Sequence, residues 1–230
     1  MTNKKHEDLD LDVALANTTH SVEDFYSKNK KNINTALIVV VLAVAGYLGL
    51  KQYYFEPLEQ EAQVEMFKAQ QMFEIDSFNM ALKGNGQFKG FADVANDYSS
   101  TKAGNLAKYY AGICLMRTGD FTGAVDMLEG FSSDNALVGP LAAGLLGDAY
   151  VESGDVEKGA KQYMKAARMS KNKLTAPVFF KKAGIAFEEL KNYNDAVDAY
   201  TNIKNDYTET QEGSDIDKYL ARANALKAGN

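Results

Sequence analysis

Residues whose types could support covalent or metal chemistry are few in this chain. The sequence holds one cysteine, Cys114, and two histidines, His6 and His20. A lone cysteine closes no internal disulfide, and two histidines near one end cannot build a histidine-rich metal site. Cys114 sits among apolar neighbours in a helix-patterned stretch with no histidine beyond it, so it reads as a core thiol rather than a nucleophile. Met66, Met72, Met80, Met116, Met127, Met164 and Met169 are spread along helical patterns without the clustering a soft-metal site needs, and they read as core filler. Acidic pairs such as Glu188-Glu189 have no acid, base or nucleophile beside them. No catalytic residue, metal ligand or cofactor site is nominated, and the chain reads as a binding protein rather than an enzyme. The balance of 31 acidic against 25 basic residues, a net charge of −6, supplies no broad basic surface for nucleic acid. With 46% hydrophobic and 24% charged residues, the composition allows a packed core.

The elements that would position a binding surface begin with one uncharged run, Thr35 to Leu50, bounded by Asn34 and Lys51. At ~1.5 Å per residue it reaches about 24 Å, short of a hydrocarbon core of ~30 Å. Lys51 can snorkel, and Tyr47, Tyr53, Tyr54 and Phe55 place aromatic rings at one interface, so residues 35–54 are expected to form a single transmembrane helix. A cleaved signal peptide would have a short basic leader and a small-residue cleavage site, and neither is present. A buried core helix would not carry so long a Val-rich run between polar flanks. Lys28, Lys30 and Lys31 crowd the N-terminal flank, whereas Lys51 is followed by Glu56, Glu59 and Glu61. That asymmetry predicts a cytoplasmic N-terminus and an exported C-terminal part, periplasmic in a bacterium with two membranes.

Residues 1–34 then form a cytoplasmic tail. Its first dozen residues are expected to be disordered, and Ser21-Val-Glu-Asp24 reads as a helix start that places Val22, Phe25 and Tyr26 on one face. That short helix is read as an interfacial anchor beside anionic lipid, the alternative being a partner-binding motif.

Beyond the membrane run the pattern is nearly all helix, with no strict apolar-polar alternation long enough for a sheet. Three similar segments begin at Asn105, Pro140 and Pro177, close to the ~34-residue period of a helix-turn-helix repeat. A first helix carries Ala111-Gly112, Leu146-Gly147 and Ala183-Gly184, the glycine allowing close approach, followed by the core residues Leu115, Tyr150 and Phe187. The turns read Gly119-Asp120-Phe121, Gly154-Asp155-Val156 and Lys191-Asn192-Tyr193. A second helix supplies Ala124, Gly159 and Ala196 at the crossing point, then Leu128, Tyr163 and Tyr200 as large fillers. Pro140 and Pro177 fall where a first helical turn tolerates proline. The expected parts are a divergent first repeat at 57–104, repeats at 105–139, 140–176 and 177–213, and a capping helix at 214–230 in which Ile216, Tyr219, Leu220, Ala223 and Leu226 share one side.

Leu146-Gly-Asp-Ala-Tyr150, Gly154-Asp155, Tyr163 and Ala166 together resemble the tetratricopeptide repeat family. Lys108 departs from it where a large apolar residue is usual, as does Gly159 in place of alanine. The resemblance implies an all-α solenoid whose first helices line a concave face that binds peptide or protein. By alignment that face holds Leu106, Tyr109, Ile113 and Met116, then Leu141, Asp148 and Val151, then Val178, Lys181, Ile185 and Glu188. It reads as mostly apolar, without the Lys/Asn pattern with which some relatives clamp a C-terminal carboxylate, so an extended or helical apolar segment is the expected ligand. An alternative is that many of these side chains pack against the cap or a neighbouring repeat.

The order of parts, a single-pass anchor followed by an exported repeat domain, resembles the YfgM-like proteins of the bacterial inner membrane. That resemblance implies an ancillary factor at the Sec translocon, working with a membrane-anchored periplasmic chaperone or peptidyl-prolyl isomerase on emerging chains. A scaffold subunit of another envelope complex, and self-association through the apolar face, are the alternatives.

Overall fold

The computed structural model describes the backbone of residues 3–169 and 171–229 and, within these, the side chains from Ser27 onward. The fold is all-α, with no strand among the described residues. The chain forms two compact units, Met1–Pro57 and Leu58–Asn230.

In the first unit, helix α1 (Asn3–Leu50) contains the apolar run and passes into a π-helical stretch, Lys51–Phe55. The sequence predicted disorder over the first dozen residues and a helix start at Ser21. The helix instead begins at Asn3, and no proline or glycine breaks the pattern before Gly46. The expected Val22, Phe25 and Tyr26 face lies outside the residues whose side chains are described. The large apolar side chains from Leu37 to Leu50 are all exposed, and this helix is long and apolar enough to cross a membrane.

The second unit opens with α2 (Glu56–Glu74), α3 (Phe78–Lys83) and α4 (Phe91–Asp97). Gly84-Asn-Gly86 interrupts the helical pattern, and a single β-bridge among the described residues joins Gly84 to Lys89 in the resulting turn. Ala62, Met66 and Ala69 of α2 are buried with Phe91, Val94 and Ala95 of α4. Glu59 then accepts bonds from the amides of Lys102 and Ala103, at 2.6 and 3.2 Å, so α2 caps the start of the next helix with a carboxylate. Glu61 accepts from the Tyr98 hydroxyl at 3.0 Å, which ties α2 to the end of α4.

Three helix pairs follow: α5 (Lys102–Thr118) with α6 (Phe121–Glu129), α7 (Val138–Glu152) with α8 (Val156–Met169), and α9 (Ala176–Glu189) with α10 (Tyr193–Asp206). Each pair begins slightly ahead of its predicted start. Thr101, whose hydroxyl accepts from Gly104, caps α5 before the expected Asn105. Pro140 and Pro177 lie buried in first turns, as predicted.

The three tight turns share one construction. Gly119, Gly154 and Lys191 take left-handed φ values of 82°, 95° and 58°. The next amide returns to the helix just finished, Asp120 to the Leu115 carbonyl, Asp155 to Tyr150 and Asn192 to Phe187, the closing bond of a Schellman motif. The same Asp120, Asp155 and Asn192 side chains then accept from Gly123, Lys158 and Asp195 and so start the second helix. One residue pair therefore stops one helix and starts its partner.

The core divides at α7, which gives Leu146 and Ala149 to a cluster with α2, α4, α5 and α6, and Ala143 to a cluster with α8, α9 and α10. After the short α11 (Gln211–Ser214), helix α12 (Ile216–Ala228) closes the array by burying Ile216 and Ala223 and packing Tyr219 and Leu220 against the second cluster. Leu226, expected on that side, is exposed.

Candidate protein-binding groove

The first helices of the three pairs carry every residue predicted for the binding face, but they use them differently. On α5, Ile113 and Met116 join Arg117, Phe121, Leu145 and Glu152 around an open hollow of about 410 Å³. Leu106 and Tyr109 lie outside this hollow and, like Met116, lean on the first core cluster. The Tyr109 ring lies 5.2 Å from that of Phe131, in the loop between α6 and α7, where Asn105 exchanges two hydrogen bonds with the Ser132 backbone. These two residues steady the loop. Burial raises the Tyr109 phenol above its usual range.

On α7, Leu141, Leu145 and Asp148 recur at the spacing that stacks side chains on one helix face. Leu141 is exposed, whereas Val151 packs on the second cluster over Gly159. A methyl group on Gly159 would meet Val151 Cγ2 at 2.4 Å, which accounts for glycine where the resembling family has alanine. The Lys108 departure also has a role, since its Nζ donates to the Gly130 carbonyl at 3.3 Å across the α5–α6 pair.

Asp148 accepts from the Tyr163 hydroxyl at 2.5 Å and from Lys182 Nζ at 2.7 Å. Burial, and then the bond to Asp148, hold the Tyr163 phenol far above the ordinary tyrosine range. The Asp148–Lys182 pair also fixes relative position: it sets the Leu141-Leu145-Asp148 face of α7 beside the Val178-Lys182-Ile185 face of α9. Ile113 and Met116, Leu145 and Leu141, Val178 and Ile185 thus stand on three successive first helices, with Arg117 and Glu152 beside the first of these pairs and the Asp148–Lys182 pair between α7 and α9.

Lys181 and Glu188 are committed elsewhere. Lys181 bonds Asp215 at 2.9 Å beneath the Tyr219 ring, and Glu188 bonds Arg222 at 2.7 Å. The cap thereby occupies the far end of the predicted face. Tyr200, buried below, makes no hydrogen bond of regular geometry from its hydroxyl among the described residues, and the Glu188–Arg222 pair lies close enough to act on it electrostatically.

Sequence reasoning missed four residues of the hollow at Ile113: Arg117, Phe121, Leu145 and Glu152. Leu145 could have been found from its one-turn spacing to Leu141. On the side of the second helices, a larger hollow of about 570 Å³ lies over Met164, Met169 and Phe187, between Lys161, Lys165 and Arg168 of α8 and Asp195 and Asp198 of α10. Arg168 crosses it to Asp198 at 3.1 Å. The signal for it was the run of basic residues at helical spacing from Lys158 to Arg168.

Cys114 is fully buried, and burial pushes its thiol up to about 11. Among the described residues no group of three or more His, Cys, Asp or Glu side chains could hold a metal. Residues 180–210, which span most of α9 and α10, match the tetratricopeptide repeat model. No curated protein matches the chain.

Proposed function

Taking the tetratricopeptide repeat at 180–210 as premise, we propose that this protein is a membrane-anchored, non-enzymatic adaptor that holds an apolar segment of another protein along its first helices. The observation that carries the reading is the strip from Ile113 and Met116 through Leu145 and Leu141 to Ile185. It is mostly apolar and open, with Arg117 and Glu152 at one end, and it is carried by stacked helix pairs, as a groove for an extended or helical segment requires.

The anchor is the uncharged run of α1, whose large apolar side chains are left exposed by the protein. Lys28, Lys30 and Lys31 ahead of it favour a cytoplasmic N-terminus, which puts the repeats in the periplasm of a bacterial inner membrane. The order of parts is similar to that of the YfgM-like proteins. On that likeness the ligands are exported chains at the Sec translocon, handled together with a membrane-anchored periplasmic chaperone or peptidyl-prolyl isomerase.

The test is in-cell crosslinking from a photoreactive side chain at Ile113 or Ile185, with Lys158 on α8 as the control position. Translocon subunits, a periplasmic chaperone or many unfolded exported proteins are the expected catch. One unrelated envelope protein at high yield would make the molecule a dedicated scaffold and end the translocon role. Capture no greater than at Lys158 would remove the groove itself.

A further inference from the structure

Helix α2 has a second apolar face that the repeat array does not use. Its inner line, Ala62, Met66 and Ala69, is buried, and Glu59 and Glu61 lock that side onto α5 and α4. The opposite side is thereby fixed outward, and on it stand the exposed Gln60, Val64 and Phe67, with the half-buried Gln71 one turn beyond. Val64 is 73% exposed and Phe67 55%, and with Gln60 and Gln63 they border a shallow hollow of about 440 Å³.

The solvent side of a surface helix ordinarily carries charge, as α8 does with Lys158, Lys161, Lys165 and Arg168. The outward centre of α2 from Gln60 to Gln71 carries none, with Lys68 at its edge and Glu74 only at the last residue of the helix. The spacing of Gln60, Val64, Phe67 and Gln71 is four, three and four residues, the alternation of a coiled-coil seam.

We propose that this face pairs with the same face of a second copy of the chain, the two α2 helices lying parallel. In a parallel two-fold pair each seam residue meets its own copy, so a charged seam would repel itself, and a seam of amides and apolar groups does not. Each glutamine amide brings both a donor and an acceptor and can bond its own counterpart, and a polar residue within the seam fixes the register. Only the parallel sense rests on the anchor reading, since two chains inserted the same way present α2 in the same direction. A seam about two heptads long holds weakly in solution, so the pairing depends on confinement to one membrane.

The experiment places single cysteines at Gln60, Val64, Phe67 and, as control, Lys158 in the full chain, and oxidises native membranes. Cys114 is buried and does not compete. Disulfide-linked species at twice the 25.2 kDa of the chain are expected from the Gln60→Cys, Val64→Cys and Phe67→Cys variants and not from Lys158→Cys. Adding Val64→Glu to Gln60→Cys should cut the yield about tenfold or more, because like charges set face to face repel. Equal yields at all four positions, linkage to a different protein, or no linkage at the three seam positions, as an antiparallel pair that sets Val64 against Phe67 gives, would each overturn the proposal. None of these positions touches the groove, so this outcome is independent of what the groove captures.

Discussion

The ring of Tyr200 rests on Gly184 so closely that a methyl group on the glycine would meet Cε1 at 2.2 Å. The same relation recurs between Gly147 and Tyr163, and between Gly112 and Leu128, at 2.6 and 2.5 Å. Helix crossing in each pair is thus set by one large side chain seated on one glycine. Gly184→Ala should lower stability by about 1–3 kcal/mol through overpacking, seen as an earlier urea unfolding midpoint. An unchanged midpoint would mean the pair crosses with slack.

Lys191 occupies the turn position that glycine holds in the two preceding pairs, at a φ of 58°. A side chain in the left-handed region costs ~1 kcal/mol, and Lys191 is exposed, so little else is lost with it. Lys191→Gly should therefore stabilise the protein by up to about 1 kcal/mol, and Gly154→Ala should destabilise it by a similar amount. Thermal melts of the two variants, moving in opposite directions from the parent, check both.

Burial raises the Cys114 thiol from 9.0 to about 11. The unfolded thiol ionises first as pH rises, so this group's contribution is intact below pH 9.0 and is lost as pH climbs toward about 11. A thiol reagent at pH 8 should leave the folded protein unlabelled and label one site per chain in denaturant. Rapid labelling without denaturant would contradict the buried position.

Among the described residues, Asp148 is the acceptor for both Tyr163 and Lys182. Asp148→Ala leaves a buried phenol and a half-buried ammonium without it and should cost about 1–3 kcal/mol. Asp148→Asn, which keeps an acceptor for Tyr163, should cost less. Comparing the two unfolding midpoints separates the hydrogen bond from the charge.

Ile185 is exposed within the strip, so Ile185→Lys should change stability by no more than ~0.5 kcal/mol. It should nevertheless abolish photocrosslinking from Ile113, because a cation would have to be buried by an apolar ligand. Undiminished capture by the Ile185→Lys variant would show that the strip is not the binding surface.

Much of this fold was legible because local signals agree with packing. The glycine, the turn pair and the large filler of each repeat lie within one helix pair, and periodicity exposes them together. The binding face was less legible, since its long-range partners are not written in any local spacing. Nothing near Lys181 or Glu188 announces that Asp215 and Arg222 will take them, and Tyr109 is drawn to Phe131 by a loop whose path the sequence leaves open. The helix start at Asn3 escapes the pattern because low apolar content reads as disorder, whereas the absence of proline and glycine leaves nothing to stop the helix.

The way the helices follow one another also bears on how the protein comes to be folded. From α5 to α10 each helix packs on the next one in the chain, and α12 closes on α10. Few contacts therefore require distant parts of the chain to find each other, which lowers the entropy of loop closure and favours rapid formation. The array can be laid down hairpin by hairpin as the chain is made, each new pair using the last as its template. It reaches completion only when α12 covers the apolar side of the third pair.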